Sequence, residues 1–101
     1  MKHGLEKHTV DAITDVFKKY PQITCAILYG SRAKGNYRPN SDIDITLKGE
    51  KLDLSTLFKI EITLDDLLLP YKIDLSNYHK IENNDLKDHV NRVGIAFYEK
   101  K

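Results

Sequence analysis

Leu28–Leu47 reads LYGSRAKGNYRPNSDIDITL, and its last six residues pose the question that decides the fold. In DIDITL, Ile43, Ile45 and Leu47 alternate with Asp42, Asp44 and Thr46, the period of a strand with one buried face. Aspartate is depleted in strands, and like charges side by side repel. Either the two carboxylates simply face water, or something positive sits between them. Residues i and i+2 of a strand share a face roughly 6.5–7 Å apart at the backbone. Two such carboxylates can lean together around a divalent cation, and Mg²⁺ favours hard oxygen ligands that it shares with substrate phosphates.

The residues before the pair suit a phosphate. Gly30 and Ser31 follow the apolar run ITCAILY (Ile23–Tyr29), which reads as a central strand covered on both faces. A short helical turn is expected in GSRAKG. Glycine lets a phosphate approach the backbone, the N–H groups of a following turn point at the anion, and the Ser31 hydroxyl can add a hydrogen bond. The G-x-x-x-x-G-K-[ST] pattern of a P-loop is absent. Arg32, Lys34 and Arg38 are the cations at hand, with Arg32 and Lys34 favoured for their closeness to Ser31; a solubilising loop is the plain alternative.

A third aspartate repeats the pattern. In YKIDLS, Tyr71, Ile73 and Leu75 alternate with Lys72, Asp74 and Ser76. If this strand neighbours DIDITL, then Asp42, Asp44 and Asp74 converge on one open face. Asp74 is then a third metal ligand, or a base that accepts the proton of an incoming hydroxyl.

The rest of the chain supplies helices. Leu5, Thr9, Ala12, Ile13, Val16, Phe17 and Tyr20 recur at helical spacing and Pro21 closes that segment. A second helix is expected over about Leu54–Leu68, capped by Asp53 or Ser55, and a last one from Asn83 or Asn84 to Gly94, followed by a short strand IAFY. Strands interleaved with helices predict an α/β (α+β) domain, a single unit over residues 1–101, with helices on one side of a small sheet. Leu52, Leu54, Leu57, Phe58, Ile60, Ile62, Leu64, Leu67, Leu68 and Leu69 spread too widely around the second helix for one narrow stripe. That helix is either buried on two sides or presents a protein interface.

Composition bounds the function. The chain has 101 residues, 31% charged and 41% apolar, with a formal net charge of +1. This suits one core and gives no basic field for sequence-independent binding to duplex nucleic acid. The single cysteine, Cys25, lies in an apolar run and reads as a buried structural thiol. No apolar stretch is long enough to span a membrane and the N-terminus lacks a signal-peptide core, so a reducing cytoplasm is expected. His3, His8, His79 and His89 show no zinc spacing, and His89 reads as a half-buried helix residue.

The order Gly30-Ser31, Asp42-Ile43-Asp44 and then Asp74 within KIDL resembles the nucleotidyltransferase superfamily that includes DNA polymerase beta. The uninterrupted YGSRAKGNYRPNSDIDI is similar to the minimal nucleotidyltransferases, small domains often encoded beside a helical HEPN-type partner. The resemblance covers essentially the whole chain. It implies a mixed sheet backed by helices, and ATP plus one or two Mg²⁺ bound by Gly30, Ser31, Asp42 and Asp44, with Asp74 completing the triad. It further implies adenylyl transfer to a tyrosine of a HEPN-type toxin, making the chain an antitoxin. Two other readings stay open: a nucleotide-binding module that blocks its partner by docking, and a transferase for a small-molecule hydroxyl whose acceptor site comes from a partner or a second copy.

Overall fold

The computed structural model of the chain describes residues 4–100. Four strands form one mixed sheet: β1 (Cys25–Tyr29), β2 (Ile43–Lys48), β3 (Ile73–Asn77) and β4 (Ile95–Glu99), in the spatial order β3-β2-β1-β4. β1 is antiparallel to both β2 and β4, and β2 is parallel to β3. The parallel pair requires a crossover, which the helix α3 (Leu54–Asp65) provides; α1 (Lys7–Lys18), the one-turn α2 (Ser31–Lys34) and α4 (Asn84–Val93) complete the set.

Alternation settles which side of the sheet is dry. Ala26 and Leu28 of β1, with Ile43, Ile45 and Leu47 of β2, are fully buried and pack with Ile13 and Phe17 of α1 and Ile60 of α3. Each leucine, isoleucine and phenylalanine among them contributes roughly 1.5–3 kcal/mol by leaving water. The Tyr20 hydroxyl, 2.8 Å from Thr63 Oγ1, ties the end of α1 to α3. In β4 the pairing with β1 slips at Phe97, so Tyr98 faces Ala26 while Ala96 faces Ile27. That bulge lets two consecutive aromatics reach Phe17, with ring centroids 6.4 and 5.9 Å away.

The helices lie mainly on one face of the sheet, as expected, and α4 is the exception. A Cβ on Gly94, just beyond α4, would come within 2.6 Å of Ile27 Cγ2, and Ile27 alternates with the core residues of β1. α4 therefore covers the second face of β1, while α1 and α3 hold the first. Asn83 caps α4, its side chain accepting from Asp85 N–H at 2.9 Å and Leu86 N–H at 3.2 Å.

α3 is shorter than its apolar pattern. Asp53 caps its start, accepting from Thr56 N–H at 2.7 Å, but the helix ends at Asp65 rather than Leu68. Leu57, Ile60 and Leu64 are buried, whereas Leu54, Phe58 and Ile62 are more than half exposed. Burial on two sides does not occur; the outer face of α3 is an apolar stripe at i, i+4, i+8 spacing. Among the described residues no helix is long and apolar enough to cross a membrane.

Candidate active site

Register brings two of the aspartates together. Asp44 of β2 lies directly opposite Asp74 of β3, and on its other side opposite Tyr29 of β1. Neighbouring strands are about 4.8 Å apart, and both aspartates alternate with core residues, so they share the face away from α1 and α3. Asp42 stands at the entry to β2, exposed, where Ile43 N–H donates to Lys72 O at 2.9 Å.

The electrostatics of this face are those of crowded anions. Burial pushes the Asp44 carboxyl above the usual carboxylate range, and Asp74 and then Asp42 push it further. The Tyr29 hydroxyl is raised by burial, a hydrogen bond with the Ser76 side chain pulls it back, and Asp44 and Asp74 add to the rise. Ser76 Oγ also donates to Thr46 Oγ1 at 2.9 Å, so hydroxyls floor the face beside the acids.

Gly30 meets this face from the loop. Its φ of +75° and ψ of −154° suit glycine, and a Cβ there would collide with the Asp44 carboxylate. The absent side chain is thus what lets the turn and Asp44 occupy one corner. Ser31 opens α2 immediately after, and Gly35 ends it at φ +89°. The Gly30 N–H is engaged, donating to His89 Nε2 at 3.2 Å. The His89 ring in turn sits edge-on to Tyr29, 6.2 Å between centroids.

The two cations part company. Lys34 is exposed at the end of α2. Arg32, expected from sequence to reach a phosphate, is instead buried, only 1% exposed. Its guanidinium donates to Ser41 O at 2.9 and 3.2 Å and to Pro39 O at 3.3 Å. A planar fork suits two carbonyls of one loop, so Arg32 holds the segment that leads into Asp42.

The donor set fits a magnesium–phosphate group: hard carboxylate oxygens that repel one another, beside a glycine corner too tight for any side chain. Among the described residues no three His, Cys, Asp or Glu are gathered closely enough to hold a metal ion by themselves. A concavity of about 920 Å³ lies elsewhere, beyond the end of β3 among Leu52, Asp53, Leu57 and Asn77; it includes Ser76 and is lined by none of the three aspartates.

Tyr29, Ser76 and His89 are the members of this face that sequence reasoning passed over. Period 2 within CAILY would have put Tyr29 opposite Ala26 and Leu28. Nothing local connects His89 with a glycine 59 positions away, and His3 lies outside the described residues.

Comparison with known proteins follows the same lines. A family model described as "Polymerase beta, Nucleotidyltransferase" matches residues 11–101. No curated protein matches the chain in sequence. Among solved structures, a chain of a toxin–antitoxin complex with AMP-PNP superposes with a TM-score of 0.73 at 22% identity, covering 91% of this chain and 74% of the other. The complex of a tri-AMPylated Shewanella oneidensis HEPN toxin with MNT antitoxin gives 0.69 at 18%, covering 95% and 74%. A proposed nucleotidyltransferase from Sulfolobus solfataricus gives 0.59 at 20%, covering 93% and 79%. At these identities the likeness is one of fold.

Proposed function

Because the chain belongs to the polymerase beta nucleotidyltransferase family, we propose that it transfers AMP from ATP to a hydroxyl, a tyrosine of a helical HEPN-type toxin, and so acts as an antitoxin. The observation that carries this reading is the pairing of Asp44 with Asp74 across the parallel strands, next to the Gly30 corner. The fold shared with chains of toxin–antitoxin complexes, one with AMP-PNP and one with an AMPylated HEPN toxin, supports the choice of partner and nucleotide. The exposed stripe of Leu54, Phe58 and Ile62 supports association with another protein.

The residues divide the work. Gly30 admits a phosphate against the backbone, and since its own N–H is held by His89, the amides and hydroxyl that follow from Ser31 onward meet the anion. Lys34 offsets charge on the outgoing phosphates. Asp42 and Asp44 would hold Mg²⁺, which when bound stabilises charge on the attacking and leaving oxygens. The acceptor oxygen forms a bond to the α-phosphorus, the bond to the bridging oxygen breaks, and pyrophosphate leaves. The acceptor's proton passes to a base, a role given to Asp74, which is exposed on the edge strand. Holding the reactants in line supplies much of the acceleration.

The test uses ATP labelled on the α-phosphate with Mg²⁺, the chain and its partner, beside a γ-labelled control. Label on the partner from the α- but not the γ-position is expected, and Asp42→Asn/Asp44→Asn should lower it about a hundredfold or more. A double variant that still neutralises the toxin would replace this reading by docking without turnover.

A further inference from the structure

Gly30 is the joint between the turn and the acids, and α4 holds it from behind. Its backbone has a conformation that other residues rarely adopt, a Cβ on it would collide with the Asp44 carboxylate, and its N–H donates to His89 Nε2 at 3.2 Å. His89 is itself held. It lies one turn from the end of a helix capped by Asn83, next to the buried Val90, and its ring stands at 79° to that of Tyr29. An acceptor on a packed helix therefore reaches into the loop that faces the carboxylates. Left without that acceptor, the Gly30 N–H would turn toward water or toward the carboxylate, and the corner that Gly30 shares with Asp44 would open.

We propose that His89 is a positioning residue for nucleotide binding: by accepting the Gly30 N–H it fixes the glycine corner against Asp44, so that the turn receives phosphate without rearranging. This rests on the nucleotidyltransferase reading. His89 does not touch the nucleotide in this account; it acts through Gly30. It links the helix on the second face of the sheet to the site, a role that burial in a helix interface alone would not give it.

Two variants separate the hydrogen bond from packing. His89→Phe keeps a ring against Tyr29 and removes the acceptor, with His89→Leu as a second variant of that kind. His89→Gln returns an acceptor at comparable reach. For each, the hydrogen-exchange rate of the Gly30 amide is measured by NMR, and the affinity for a non-hydrolysable ATP analogue with Mg²⁺ by titration calorimetry on the chain alone. The expected result is faster Gly30 exchange with analogue affinity weakened about five- to tenfold, the worth of one hydrogen bond, in the Phe and Leu variants, and near-native values in His89→Gln. Unchanged affinity despite lost Gly30 protection would overturn the proposal, as would a Gln variant as weak as Phe. A wild-type chain that binds no analogue would overturn the nucleotide reading itself, recognisable because every protein would then titrate flat.

Discussion

The guanidinium of Arg32 lies over the rings of Tyr37 and Tyr71, 5.2 and 4.9 Å from their centroids, while it bonds the carbonyls of Pro39 and Ser41. A lysine could keep the charge but neither the fork nor the stacking. Arg32→Lys should therefore destabilise the fold by about 2 kcal/mol, read from urea unfolding, and leave nucleotide affinity of the folded protein unchanged. A variant of native stability that binds ATP poorly would make Arg32 a phosphate ligand after all. Its local setting, two positions after Gly30 in a cationic loop, says phosphate; the loop that folds back over it and the Tyr71 ring, remote in sequence, cover it instead. His89 was opaque for the same reason. The shared facing of Asp44 and Asp74 is legible, because alternation with isoleucine and leucine is a local signal.

At the level of elements, β2 and β3 announce their facing through strict alternation, whereas β1 reads as an unbroken apolar run because α4 covers the face that a two-layer fold would leave wet. The end of α3 was misread for a different reason: apolar residues continue through Leu69, but the helix tightens after Asp65, with Leu67 N–H donating to Leu64 O and Leu68 N–H to Asp65 O. Leu68 then takes φ +54° while 88% exposed. A leucine pays for that left-handed conformation and gains no burial from it. Leu68→Asn should raise stability by up to about 1 kcal/mol, measured by thermal or urea unfolding. A loss of stability would contradict the strain account.

Across the whole molecule, charge is nearly balanced at +1, yet Asp42 and Asp74 both bear on Asp44. Asp44 has its folded-state pKa above the ordinary 3.8, chiefly through burial and then through Asp74 and Asp42. The folded chain thus holds that proton more tightly than the unfolded one; the stability this lends is full below about pH 3.8 and is lost as pH rises through the raised value. In chelator at pH 7, Asp44→Asn should accordingly melt at a higher temperature than the wild type, with the gap closing toward acid. Mg²⁺ should raise the wild-type midpoint more than that of the variant. A variant less stable than wild type at pH 7 would show that the ionised carboxylate supports the fold. The route by which β3 reaches β2 also orders events during synthesis. β1 and β2 are joined by a local loop, but Asp74 comes beside Asp44 only when the α3 crossover closes, a less local step. A half-made chain carries two carboxylates on an unfinished sheet. On the proposed chemistry, a nascent molecule cannot modify its surroundings before it is able to recognise a partner.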